Sequence, residues 1–340
     1  MQIENSNEMK IKNKKRLVVL LLVMHKKASL FWHPKNPLSR ENSTKPVPLG
    51  TGRSFLWIFM ILLIILSSIS IFSRFEKPYV KYENSIDLSD DSVKPGNEAF
   101  FIDNNSSKAV LLVHGLSPSP HQTINLSDYL SEKGITVSSI RLSGHGTNVY
   151  DLEKRDWQDW CNDVDKEYDR LKERHEKVFI IGISLGADCT LYLAENRDID
   201  GIVAVAPPIY LVNNKARFSF ILKLFKRWEY IGIEKGDVGY HYENFPSRSI
   251  AELIELISIV KRSLYRVEEP ILIIQSLNDK LVRTESSQYV FNNIKSLDKD
   301  ILWVNSSKHS IIRYNEDDSE KDREDIDNVF SCIHDFIEKH

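Results

Sequence analysis

A serine hydroxyl becomes a useful nucleophile only where a base takes its proton and an acid orients that base. Ser184 is a candidate for that role. It is the centre of Gly182-Ile183-Ser184-Leu185-Gly186, and the apolar run Val178–Ile183 leads directly into it. The pattern is the one expected where a strand turns sharply into a helix and pushes the serine hydroxyl out over the sheet edge. The flanking glycines fit, because a Cβ at either position would clash with the crowded backbone. On such a turn the chain order should be serine, acid, histidine. Asp279 follows the strand-like run Ile271–Gln275, and His309 follows Ile301–Val304. Taken singly, Asp279 reads as a turn or capping residue and His309 as an exposed loop histidine. Taken together, in the right order and at strand ends, they are expected to serve Ser184 as orienting acid and base.

Acyl transfer also needs N–H donors for the oxyanion, each contributing roughly 3 kcal/mol to the barrier. The backbone N–H of Leu185, at the start of the helix after Ser184, is one expected donor. The other is that of Leu116, since Val110–Val113 ends in His114-Gly115 and a glycine lets the following backbone approach the reacting carbon. His145, in Ser143-Gly144-His145-Gly146, follows another strand end and is expected to line the same cleft. It precedes the serine, which makes it a poorer candidate base.

These groups need strands to place them. From about Glu98 the chain alternates short apolar runs with helical patterns. Expected strands are Ala99–Ile102, Ala109–Val113, Thr136–Ile140, Val178–Ile183, Gly201–Val205, Ile271–Gln275 and Ile301–Val304. Most are continuous and rich in β-branched residues, as strands covered on both faces are. Expected helices are Thr123–Lys133, Asp151–His175, Leu185–Asn196, Glu285–Ile294 and Lys321–Lys339. This alternation predicts an open, mostly parallel α/β sheet with helices on both faces, binding its ligand at the carboxyl ends of the strands. Between Pro208 and Pro270 the rhythm breaks. Phe218–Trp228 and Ser249–Leu264 have helical spacing, so a small helical cap, about residues 209–268, is expected over the strand ends. Its Phe218, Phe225 and Trp228 are candidate pocket residues, though packing against the main domain accounts for such a stripe equally well.

His114-Gly115, Gly144-His145-Gly146, Gly182-x-Ser184-x-Gly186, Asp279 and His309 together resemble the α/β-hydrolase superfamily. More narrowly, they are similar to the bacterial carboxylesterase and monoacylglycerol-lipase-like group. Asp156-Trp157 and the segment before Pro270 strengthen that narrower likeness. The resemblance covers about residues 98–340. It implies an α/β-hydrolase fold and a serine hydrolase of carboxylic esters with no cofactor and no metal. Two residues depart from the pattern: Lys308 stands where glycine is common before the histidine, and Asp188 stands where a small residue is usual.

The 340 residues are 42% hydrophobic and 27% charged, with a formal net charge of −3, which gives no reason to expect nucleic acid as a partner. Cys161, Cys189 and Cys332 lie far apart without metal-ligand spacing and read as buried small apolar residues. Up to Arg53 there are eleven lysines and arginines against three glutamates, followed by eighteen uncharged residues, Phe55–Phe72. A hydrocarbon layer of about 30 Å needs about 20 helical residues, so this run is expected to be one transmembrane anchor. Residues 1–54 read as a basic disordered tail and 73–97 as a linker. The basic tail favours a cytoplasmic N-terminus and an extracytoplasmic hydrolase domain. An anchor beside an apolar cap points to a small, lipid-derived ester such as a monoacylglycerol or lysophospholipid. The same triad would serve a peptidase or amide hydrolase, and a catalytically inactive, membrane-anchored interaction protein is the reading from another class.

Overall fold

In the computed structural model, residues 51–78, 92–231 and 238–340 are described, with the backbone alone for 51–55. Most of the expected basic tail and residues 79–91 of the expected linker lie outside them. The first element is helix α1 (Thr51–Ser73). Its stretch Leu56–Ser73 is long and apolar enough to cross a membrane, and none of it is buried.

The domain that follows is built on a seven-stranded sheet. Its strands are β1 (Phe100–Ile102), β2 (Lys108–Val113), β3 (Thr136–Ile140), β4 (Lys177–Ile183), β5 (Gly201–Val205), β8 (Ile271–Ser276) and β9 (Lys299–Val304). Their order is β1-β3-β2-β4-β5-β8-β9. Only β1 is antiparallel, and the other five pairings are parallel. The chain runs from β2 outward to β3, then returns to β4 on the other side of β2. That reversal makes the β2/β4 crevice the topological switch point, where ligands bind in open α/β sheets.

Burial follows from the strand sequences. On β2, Ala109, Leu111 and Val113 enter one core cluster, while Val110 and Leu112 enter the other. Strand β4 divides in the same way, with Ile180 on one side and Phe179, Ile181 and Ile183 on the opposite one. Successive side chains of a strand point to opposite faces, so a run apolar at every position requires cover on both. Helices α2 (Ile124–Glu132) and α9 (Glu320–Lys339) supply one layer, through Leu126, Leu130, Ile326, Phe330 and Ile333. The other layer comes from α3 (Val149–Lys154), α4 (Trp157–Lys172) and α5 (Leu185–Leu193).

The expected helix Asp151–His175 is two helices. The chain breaks at Arg155-Asp156 because Asp156 caps α4: its side chain accepts the Asp159 N–H while Asp159 accepts the Asp156 N–H. The cap also differs from expectation. Of Phe218–Trp228, only Ser219–Leu222 (α6) is α-helical, preceded by a 3₁₀ turn over Asn214–Phe218. Trp228 opens a two-stranded ribbon, β6 (Trp228–Tyr230) against β7 (Asn244–Pro246). The second expected cap helix is present as α7 (Ser247–Ser263), but Leu253, Leu256, Ile257 and Val260 bury it in the main core. The remaining helix, α8 (Glu285–Asn293), lies between β8 and β9 in sequence.

Candidate active site

Strand β4 ends at Ile183 and the backbone reverses within one residue. Ser184 takes φ 53° and ψ −114°, a left-handed conformation rare for a residue with a Cβ. Its N–H still donates to Val205 of β5 at 2.8 Å, while its carbonyl already accepts from Ala187 of α5 at 2.9 Å. One residue therefore belongs to both a strand and a helix. A Cβ on Gly182 would overlap the Gly186 carbonyl, and one on Gly186 would overlap the Val113 carbonyl at the end of β2. Both glycines are required by that crowding.

Beyond β8, Asp279 is fixed from several directions. Its Oδ1 accepts the N–H groups of Leu281 (2.8 Å) and Val282 (3.0 Å). Its Oδ2 accepts from Gln275 Nε2 (3.3 Å) and from His309 Nδ1 (2.8 Å). The Asp279 side chain is fully buried, and that of His309 is 20% exposed. Burial pushes the Asp279 carboxyl up, but the His309 contact and the two N–H donors together hold it below its usual value. Nδ1 of His309 is thus committed to a carboxylate, which leaves Nε2 as the nitrogen free to exchange a proton. Lys308, beside it, is turned away into an ion pair with Asp318.

The loop after β2 lies against the serine: a Cβ built on Gly115 would sit 3.6 Å from the Ser184 Cβ. Three buried side chains hold this loop. Gln122 Oε1 accepts the Gly115 N–H at 2.9 Å. His114 Nδ1 donates to the Gly115 carbonyl at 2.8 Å, and its Nε2 accepts the Leu142 N–H at 3.1 Å, which sets its tautomer. His145 Nε2 donates to the Leu116 carbonyl at 2.8 Å. Burial lowers the proton affinity of both rings, taking His114 well down and His145 to about 4, so both are neutral at physiological pH. The Gln122 amide also donates to Ser310 Oγ at 3.1 Å, tying this loop to the residue after His309. The Leu185 N–H, at the first position of α5, has no intrahelical acceptor.

The arrangement joins a hydroxyl on a forced turn, an acid–imidazole pair, and a braced backbone beside the hydroxyl. Ser184, Asp279, His309, Leu116 and Leu185 all fall at the carboxyl ends of β2, β4, β8 and β9. The other expected positions need correction. His145 is fully buried beneath the loop, edge-on to His114 with ring centroids 4.9 Å apart, and does not line a cleft. Trp228 is buried, packed edge-on against Tyr150, and its indole N–H donates to the Glu76 carbonyl at 2.7 Å. Phe218 is exposed on the cap, Phe225 is half-buried, and neither is buried beside the strand ends. Sequence reasoning did not find Gln122 or the pair Gln275–Ser287, in which the Ser287 hydroxyl donates to Gln275 Oε1 at 2.9 Å behind Asp279.

A parallel sheet with an elbow serine at its switch point defines an α/β hydrolase. Residues 104–241 match a hydrolase family model described as serine aminopeptidase, S33. The thermostable monoacylglycerol lipase of Bacillus sp. (strain H-257) is 34% identical over 221 residues, covering 64% of this chain and 88% of that protein. The carboxylesterase of Bacillus subtilis (strain 168) is 28% identical over 237 residues, covering 68% and 93%. Among solved structures, one from a study of two metagenome-derived lipolytic enzymes, LipS and LipT, aligns with TM-score 0.66 and 27% identity. It covers 73% of this chain and all of its own. The chain belongs to the α/β-hydrolase family of bacterial carboxylesterases and monoacylglycerol lipases, and it is a hydrolase of the lipase–esterase type.

Proposed function

We propose that the protein is a membrane-anchored serine hydrolase that cleaves carboxylic esters, with lipid-derived monoacylglycerols or lysophospholipids as its substrate class. The observation that carries this reading is the 2.8 Å contact between His309 Nδ1 and Asp279 Oδ2, at the carboxyl ends of β8 and β9, on the same edge of the sheet as a serine held at positive φ after β4. Ser184 Oγ attacks the ester carbonyl carbon as its proton passes to His309 Nε2. The oxyanion is held by the Leu116 and Leu185 N–H groups. His145, His114 and Gln122 act one step back, by fixing the peptide planes that aim Leu116. Collapse breaks the bond to the alcohol, which leaves with the proton from His309. Water then attacks the acyl-serine, gives a proton to His309 and releases the carboxylic acid, and that proton returns to Ser184. Asp279, kept ionised, orients His309 and stabilises its protonated form.

A fluorophosphonate probe tests the mechanism. A stoichiometric adduct at Ser184 in the folded full-length chain is expected, and its absence would sink the enzyme reading. A series of p-nitrophenyl esters tests the substrate class: activity should peak at medium or long acyl chains, and a preference for acetyl would remove the lipid assignment. Amide hydrolysis is the second reading, favoured by the aminopeptidase description of the matching family model. Comparing an anilide with an ester of the same acyl group separates the two. The anchor is assigned to Phe55–Phe72 on length and composition, with the N-terminus cytoplasmic. Added protease should digest the hydrolase domain of intact cells, and protection would reverse the orientation.

A further inference from the structure

From Asn213 to Trp228 the cap reads NNKARFSFILKLFKRW, with five basic residues, no acidic one and six large aliphatic or aromatic residues before the tryptophan. Five of those six, Phe218, Phe220, Ile221, Leu222 and Leu224, are exposed, Phe220 to 58%. A cluster of that kind is costly in water. Its composition, basic side chains interleaved with aromatic and aliphatic ones, is that of a segment lying at the boundary between lipid headgroups and acyl chains.

The position of the chain after α1 says what covers it. Ser73, the last residue of α1, has its hydroxyl 3.4 Å from the Leu224 carbonyl. Arg227 Nη1 donates to the Arg74 carbonyl at 2.7 Å, and the Trp228 indole N–H donates to the Glu76 carbonyl at 2.7 Å. Arg227 is itself gripped by Glu153 of α3, Nη2 to Oε2 at 2.6 Å and Nε to Oε1 at 2.9 Å. Ser73 at the end of the apolar helix, and Arg74 and Glu76 after it, are therefore strapped to the cap, and through Arg227 to the main domain. If Leu56–Ser73 spans a bilayer, Ser73 lies where hydrocarbon gives way to headgroups, and Leu224 is at the same depth. A helix rises only 1.5 Å per residue, so the exposed apolar side chains between Phe218 and Leu224 fall within a few residues of that boundary.

We infer that the cap segment Lys215–Arg227 is a second membrane-contacting surface, seated in the headgroup layer of an anionic leaflet and held there by the Arg227–Trp228 strap. This rests on the anchor reading above. Phe218, Phe220, Ile221, Leu222 and Leu224 contact acyl chains, and Lys215, Arg217 and Lys223 reach the phosphates with their long side chains. The strap fixes the distance between anchor and cap, so the active-site domain cannot swing away from the surface that supplies its ester.

The test uses the full chain reconstituted in vesicles of phosphatidylglycerol and phosphatidylcholine. Cys332→Ser removes the half-buried thiol, leaving only the buried Cys161 and Cys189. Single cysteines at Phe220→Cys, at Ile64→Cys within α1, and at the fully exposed Leu297→Cys before β9 then carry an environment-sensitive fluorophore. The labels at 64 and 220 should shift to the blue and be quenched by nitroxide-bearing lipids, while the label at 297 stays water-like and unquenched. Trp228→Phe, which removes the strap's indole N–H together with part of the ring packed on Tyr150, should weaken quenching at 220 and leave that at 64 unchanged. Quenching at 64 without quenching at 220 overturns this inference and leaves the anchor standing. No quenching at either position overturns the anchor itself. A blue shift at 220 that lipid nitroxides do not quench would assign the surface to a second copy of the chain and also overturn the inference. Equal quenching in phosphatidylcholine alone would remove the anionic requirement.

Discussion

The strand-end site and the cap are made from the same kinds of residue and solve opposite problems. At the site, strands β2, β4 and β8 beneath are almost wholly buried, and Gln122, His114 and His145 take up the Gly115 N–H, the Gly115 carbonyl and the Leu116 carbonyl respectively. Such a backbone has one arrangement, as stabilising a developing oxyanion requires. On the cap, aromatic and aliphatic side chains stand in the open, the ribbon has three residues per strand, and one short strap ties it to the chain after α1. On the function proposed above, the difference separates two tasks. Chemistry sits where geometry is over-determined, and the proposed contact with a lipid surface sits where side chains are free to adapt.

The largest effect should come from the serine. Ser184→Ala is expected to lower kcat/KM by about 10⁴-fold or more, with the melting temperature nearly unchanged, because only the hydroxyl is lost. Asp279→Asn should approach the same loss by presenting the wrong tautomer of His309. No substitution on the exposed cap should come near either figure when the substrate is a soluble ester. If Phe220→Ser did so, the division between the two regions would fail.

Acid should attack the site region before the cap. His145 titrates near 4 in the folded protein against about 6.5 when unfolded, so on acidification the unfolded chain takes its proton first. The stability this ring contributes is complete above about pH 6.5 and is lost as pH falls through 4. Its loss amounts to about 3 kcal/mol. Denaturation midpoints between pH 7 and pH 4 should fall less steeply in His145→Gln, whose amide still donates to the Leu116 carbonyl. An unchanged slope would show that the ring is not the group concerned.

A smaller effect is expected from the tie between the oxyanion loop and the histidine loop. Gln122→Met keeps the volume and removes both the acceptor for the Gly115 N–H and the donor to Ser310. Losing a whole oxyanion donor costs about 10²–10³ in kcat, and loosening one should cost about 10-fold. kcat should fall with KM unchanged, and a boronic acid that mimics the tetrahedral intermediate should lose affinity by a similar factor. A rise in KM alone would make Gln122 a substrate contact instead.

How much of this could be read beforehand divides along the same line. The sheet was legible because strands buried on both faces must be apolar at nearly every position, and a run as short and β-branched as Val178–Ile183 suits little else. The order of Ser184, Asp279 and His309 was legible because topology fixes which strand end each occupies. The side of a loop that a ring faces was not, and so His145 was expected in a cleft and lies beneath one. Gln122 carried no signal, since its partners are Gly115 and the distant Ser310. The break at Asp156 did carry one, an aspartate followed three residues later by another, which the continuous apolar spacing hid. On the cap, helical spacing from Phe218 to Trp228 reported apolar residues without saying what they meet. Most of them stand exposed, so tertiary packing did not extend the helix beyond one turn.

The least effect, and the exception that most sharpens the comparison, lies one turn into α5. Asp188 is fully buried, and among the described residues no hydrogen-bond partner reaches either carboxyl oxygen. It is a flaw in the best-packed region. Burial alone pushes its carboxyl well above the usual value, so the folded state holds the proton after the unfolded chain has released it. Stability must then decline as pH rises above about 3.9, the opposite sign to His145, until the folded group ionises too. Asp188→Ala removes the unpaired group but leaves a small void, and the two partly offset. A net gain of about 1 kcal/mol is expected at pH 8, shrinking towards pH 4, with turnover of a soluble ester unchanged. A gain equal at both pH values would mean that the folded carboxyl ionises together with the unfolded one, so that burial does not raise its pKa. A loss of turnover would mean that the carboxyl helps to hold the elbow, and Asp188 would then belong with the residues that brace the site.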